Sequence, residues 1–270
     1  MFNLLRADFY RVLRTKIVYI SLIIAVVLPA FIATVTGLTE MATRSLYPEG
    51  MEPVTGMGDS LLAQTFSPVM SFSYIFAVFP VIVIMMDFGN GTLRNKVIHG
   101  YTRHQIYAAH FIVSLTHIVA ITLIFAATNV VGAVVLGISD VPNELISTYV
   151  LYYLIGFLGV VMVASLGCCL ALSLGNAGAI VITVLGTLFL TYLGSIIGLI
   201  LQLNEVTDME HFLCCFPSYF TEQLSSYALY STEAPNIDPM NAVEAVLGVL
   251  GLSGGFYALG TFVFSKRDFK

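Results

Sequence analysis

Charge is what this sequence has least of. Only 10% of its 270 residues are Asp, Glu, Lys or Arg, where a soluble globular domain carries about 25%. With 58% apolar residues and a mean hydropathy of +0.91, too little polar surface remains to coat a water-facing globule. A bilayer is the solvent that suits such a chain. Basic tracts with interleaved aromatics are missing and the net charge is -5, which speaks against a nucleic-acid partner. No two cysteines stand at C-x-x-C spacing. They form the neighbouring pairs Cys168-Cys169 and Cys214-Cys215, which bridge each other only with strain and read as structural. Internal repeats, low-complexity tracts and a soluble domain are lacking too.

What is present is a series of apolar runs. Crossing a hydrocarbon core takes about 20 residues of helix, and six runs qualify, at 17–37, 68–86, 106–138, 148–174, 177–201 and 243–264. None has Lys, Arg, Asp or Glu at its centre; Glu244 stands at the edge of the last. A central Arg disfavours insertion by about 3 kcal/mol, so these runs enter a membrane readily. With the N-terminus inside, six crossings place every Lys and Arg except Arg44 on the cytoplasmic side, while the loops 38–67, 139–147 and 202–242 fall outside. Since each missed helix inverts everything after it, this sorting supports cytoplasmic N- and C-termini.

The basic stretch before the first run resembles a signal peptide only superficially, because the run is too long for a typical signal core. Residues 2–14 instead form an amphipathic helix, with Phe2, Leu5, Phe9, Val12 and Leu13 on one face. Arg6, Arg11, Arg14 and Lys16 anchor it on anionic lipid. The loop 38–67 is rich in Gly and Pro. The loop 202–242 holds an apolar patch, Phe212 to Phe216 ending at Pro217, that is too short to span and reads as re-entrant. Gly175 to Gly178 forms a tight turn between the fourth and fifth runs. Gly194/Gly198 and Gly251/Gly255 are G-x-x-x-G pairs that let helices pack closely, within the bundle or against a second copy.

Catalytic signals do not hold up. Leu252-Ser253-Gly254-Gly255 matches the start of an ATP-binding-cassette signature, but it lies within an apolar run and no G-x-x-x-x-G-K-[ST] loop occurs. Asp87-Phe88-Gly89 lacks the other kinase motifs, and Asn90-Gly91-Thr92 is a glycosylation sequon on the cytoplasmic side. His110 and His117 share one face of the third run without a carboxylate or third ligand nearby in sequence, so they read as hydrogen-bonding packing residues rather than a metal site.

The informative cytoplasmic segment is 87–105. Asn90-Gly91 makes a turn, Thr92 is expected to cap a short helix, and Gly100 closes it. Leu93, Val97 and Ile98 form its apolar side and Arg94, Asn95 and Lys96 its exposed side. A lone helix of this length is unstable in water, so it needs a docking surface. Thr102 or Arg103 then restarts a helix leading into the third run.

This segment resembles the Asp/Glu-Phe-x-x-Gly-Thr-Leu/Ile-Arg-x-Lys region of the permease subunits of ABC-2 type transporters. The resemblance extends to the N-terminal amphipathic segment (the family's elbow helix, 1–16), the six-span layout, the apolar outer segment and the basic ending at Lys266, Arg267 and Lys270. It implies an all-α membrane fold with a cytoplasmic coupling helix between spans two and three and a re-entrant outer segment between spans five and six. Asp87, Asn90, Gly91, Thr92, Leu93, Arg94, Lys96, Gly100 and Arg103 are then the contact with a separate ATPase, which alone carries ATP and Mg. The chain itself has no catalytic residue and no cofactor. The resemblance further implies an exporter in a bacterial cell membrane, working as a homodimer with two ATPases. The coupling segment is similar in style to bacterial exporters of antimicrobial or cytolytic peptides, including bacteriocin-immunity and phenol-soluble-modulin exporters, which implies an amphipathic peptide as cargo. A stand-alone channel or secondary transporter would place charges within its spans, and an intramembrane hydrolase would need a nucleophile with a base or metal ligands. Neither pattern is found.

Overall fold

The computed structural model describes residues 1–46, 66–135, 146–203 and 239–267, and all of its regular structure there is helical. Eight helices follow in order: α1 (Phe2–Leu13), α2 (Lys16–Leu46), α3 (Phe66–Gly89), α4 (Thr92–Ile98), α5 (Arg103–Val135), α6 (Ile146–Leu174), α7 (Gly178–Leu203) and α8 (Pro239–Lys266). Each of the six apolar runs lies largely within one long helix. The first helix continues to Leu46, past the expected boundary at residue 37, and α8 begins at Pro239 rather than 243.

Among the described residues, four stretches are long and apolar enough to cross a membrane: Lys16–Thr39, Arg103–Gly132, Gly156–Leu174 and Met240–Lys266. A fifth arises if Phe76–Gly89 and Thr92–Ile98, which meet at a 64° bend, count as one span. The chain is therefore a multi-pass membrane protein. The apolar patch 212–216, the cysteines Cys214 and Cys215 and most of the loops expected at 38–67, 139–147 and 202–242 lie outside the described residues.

Helix α8 packs chiefly on α6, α2 on α5, and α3 on α6 and α7. Two of the apolar clusters that fill the interior position the site. One gathers Ala25, Phe76, Ile118, Phe125 and Val160 from α2, α3, α5 and α6. The other draws on seven helices at one end of the bundle, including Leu4 of α1, Ile84 of α3, Leu93 of α4, Tyr107 of α5, Leu172 of α6, Ala179 of α7 and Phe264 of α8. That end collects the last turns of α3, α6 and α8 and the first turns of α5 and α7, so successive long helices run in opposite directions. The outer faces of α2, α7 and α8 carry exposed Ile23, Phe31, Leu185, Phe189, Leu247 and Phe262, which suit lipid chains.

Candidate functional site

The seven-helix end holds the segment singled out in the sequence. α3 finishes at Gly89, the chain turns through Asn90 and Gly91, and α4 runs from Thr92 to Ile98. Gly91, not Thr92, occupies the N-cap, with φ of 66°, and no side chain caps the helix. Gly100, with φ of 85°, ends it. Its N–H donates to Val97 O at 3.0 Å and the Tyr101 N–H to Lys96 O at 3.3 Å, the paired bonds of a left-handed helix stop. Both glycines sit where a side chain is unfavourable by about 1–2 kcal/mol.

The face that α4 buries differs from the expected one. Leu93 is 1% exposed and packs in the large cluster, and Val97 flanks it. Ile98, expected on the apolar side, is 70% exposed, and Lys96, expected in water, is buried. The reason is a buried acid on another helix. In α1, Leu4, Asp8 and Val12 are spaced by four and turned inward together. Lys96 Nζ donates to both carboxylate oxygens of Asp8, at 2.7 and 2.8 Å, and lies 3.2 Å from His110 Nε2 on α5. All three donors of the ammonium are thereby engaged. Burial pulls the Lys96 ammonium below its ordinary range, while the Asp8 carboxylate pushes it back up.

Beside this pair, Arg11 of α1 grips both carboxylate oxygens of Asp87, at the end of α3, with its two terminal nitrogens. It also lies 3.4 Å from Asp8. Asp87 stands 3.5 Å from His110 Nε2, so the histidine has the carboxylate neighbour that its own sequence context lacks. Two carboxylates and two cations balance, and His110 closes the network between Lys96 and Asp87. Among the described residues, no group of His, Cys, Asp and Glu could hold a metal ion.

A narrow cavity opens next to the network, bounded by Pro80, Val83, Val113 and His117 as well as Asp8, Arg11 and His110. His117 Nε2 meets Ser21 Oγ of α2 at 2.9 Å, a hydrogen bond across helices of the kind expected for it.

The remaining expected residues divide into three groups. Asn90 and Arg94 are exposed, and Thr92 is half-buried. Arg103 donates to the Ser265 carbonyl, tying the start of α5 to the end of α8. On α1 and its exit, Arg6, Arg14 and Lys16 are exposed, whereas Arg11 is drawn into the network. The expected apolar face of α1 is likewise shifted: Phe2 and Leu13 point outward, and Leu4, Asp8 and Val12 point in. Of the glycines, Gly198 is buried in α7, while Gly251 and Gly255 are exposed with nothing within 4 Å of an added Cβ.

Sequence reasoning missed Asp8, whose signal was its i, i+4 spacing with Leu4 and Val12. It also missed Arg267. That guanidinium caps the end of α6, donating to the carbonyls of Leu172, Ser173 and Leu174 at 2.9, 3.1 and 3.2 Å, and stacks 4.6 Å from the Phe88 ring centre. It fills the room left by the missing side chain of Gly175. The cation meets the negative end of the helix dipole.

A helical membrane bundle with a bent stub after its third helix, and with no metal cluster among the described residues, is the setting for the comparisons with known proteins. No curated protein matches the chain. A family described as ABC-2 family transporter protein matches residues 4–229, a stretch running from the first buried residue of α1 past the α3–α4 corner and α7. The chain therefore belongs to the ABC-2 transporter family, whose members are membrane subunits of ABC transporters.

Proposed function

We propose that this chain is the permease of an ATP-driven exporter, energised by a separate ATPase through α4. Six spans, α2, α3, α5, α6, α7 and α8, cross a bacterial cell membrane with both termini in the cytoplasm. α1 lies along the inner surface as the elbow helix and α4 is the coupling helix. Two copies of the permease work with two ATPase subunits, which carry all ATP and Mg. The cargo is hydrophobic or amphipathic, and the reading favoured by the apolar spans and acidic outer loops is a peptide toxin or antimicrobial peptide.

The observation that carries this reading is the form of α4. It is anchored by Leu93 and Lys96 and presents Arg94, Asn95, Ile98 and His99 outward. An apolar side chain held 70% exposed between polar neighbours is the pattern of a docking ridge. Of the residues expected at the ATPase contact, Arg94 then belongs to the contact itself, joined by Ile98, while Asp87, Leu93 and Lys96 support it from behind. ATP-driven closure of the ATPase pair moves the ridge, and the bundle follows as a rigid-body change between inward- and outward-facing states.

The test is copurification of the ATPase subunit with an epitope-tagged chain from its native membrane, identified by ATP photolabelling. Arg94→Glu combined with Ile98→Asp is expected to release the ATPase and abolish substrate-stimulated ATP turnover while leaving the permease folded. Full retention of both would count against the assignment.

A further inference from the structure

We propose that the buried Asp8–Lys96 pair, with Arg11–Asp87 beside it, is a latch that makes α1 and α4 move as one body. The mechanical role rests on the reading of α4 as the ATPase-facing helix; the latch itself does not.

The geometry supports a tether over a binding site. The four charges cancel, so no ligand charge or metal is called for, and every Lys96 donor is taken. The two ion pairs join α1 to the consecutive elements α3 and α4 across long stretches of chain: Asp8 lies 88 residues from Lys96, and Arg11 lies 76 from Asp87. A seven-residue helix has no stability of its own, so α4 goes where its anchors go. One anchor is the apolar Leu93. It can slide within a greasy cluster, because dispersion contacts are non-directional. The other is the Lys96 ammonium, which cannot leave Asp8 without exposing an unpaired buried charge, and breaking such a pair is strongly unfavourable. Directional and costly to break, it carries displacement of α4 into α1. Other groups facing the network are His110, Ser114 and His117 from α5, none of which competes for the ammonium with a formal charge.

Distances between spin labels, attached through unnatural amino acids at exposed Tyr10 on α1 and exposed Ile98 on α4, test the latch in the full chain in lipid nanodiscs. Without any ATPase, the natural chain is expected to give one narrow distance distribution. Lys96→Met, and as a gentler variant Asp8→Asn, are expected to turn it into a broad or bimodal one, and Lys96→Arg to keep it narrow. A third label at exposed Leu185 on α7 checks that the bundle remains intact in each variant. If the Tyr10–Ile98 distribution stays narrow in both charge-removing variants, the latch is overturned. The proposed function stands or falls separately, on capture of the ATPase.

Discussion

Two glycines of α8 show what a single missing side chain does. At Gly260 an added Cβ would press into the Tyr107 hydroxyl of α5 and stand 2.9 Å from the Cys169 Cα of α6. Backbone cannot move aside as a side-chain tip can, so Gly260→Ala is expected to destabilise the bundle by about 1–3 kcal/mol through overpacking. Gly251→Ala faces open space and is expected to be neutral or slightly stabilising through helix propensity. Thermal unfolding of the solubilised chain, followed by thiol labelling as the buried Cys168 and Cys169 become accessible, separates the two. The sequence pointed the other way, to the Gly251/Gly255 spacing. A G-x-x-x-G pair shows that a helix has a smooth strip, but which strip meets a neighbour depends on helix rotation, and rotation is set by residues on other helices. Asp8 was illegible for the same reason. Its charge is tolerable indoors only because Lys96 arrives from 88 positions away, and no local pattern announces such a partner. Periodicity did mark it, between Leu4 and Val12.

Among the elements, α4 is the one whose stability is borrowed. Its start and stop were readable, since Asn90-Gly91 and Gly100 are turn chemistry with local causes. Its inward face was only half readable: Leu93 was assigned correctly, while Ile98 and Lys96 exchanged places. An apolar residue is ordinarily placed inside and a lysine outside, and the Asp8 carboxylate reverses that preference for Lys96. The borrowed stability has a measurable consequence. Leu93→Ala removes the apolar anchor, and truncation of a buried leucine is expected to cost about 2–5 kcal/mol. Since α4 does not fold by itself, the loss should appear as local opening. Amide hydrogen exchange at residues 94–99 is expected to accelerate while that of α5 and α6 stays near its original rate. Arg94→Ala, on the exposed side, is expected to leave exchange unchanged. Equal acceleration throughout the bundle in the Leu93 variant would mean that α4 is integral to the global fold rather than a docked stub.

At the scale of the whole molecule, the ionic contacts described above gather at one end of the bundle. The interior cluster around Phe76 and Phe125 contains no charge. At the end where α4 docks, the two ion pairs, the Arg103–Ser265 contact and the Arg267 cap on α6 tie together six helices, α1, α3, α4, α5, α6 and α8. Composition made the membrane setting legible, because lack of charge is a property of the whole chain and needs no partner to be read. The concentration of fixed contacts at one end was not legible, since it arises from pairings between helices far apart in sequence. A bundle held by ionic contacts at the end where α4 docks is suited to rearrange as a body when that end is driven. Under the proposed function the motion takes its work from the ATPase, and the cargo is hydrophobic or amphipathic. Inside-out vesicles containing the permease and its ATPase are therefore expected to accumulate a labelled amphipathic peptide when ATP is supplied. Vesicles lacking the ATPase are expected to accumulate none, and a labelled sugar is expected to be excluded from both. Failure of ATP-dependent uptake across several peptides of different charge would remove peptide export while leaving the permease assignment to the copurification result. Uptake of peptide without the ATPase would instead mean that the chain transports on its own, and the motor reading of α4 would have to be abandoned.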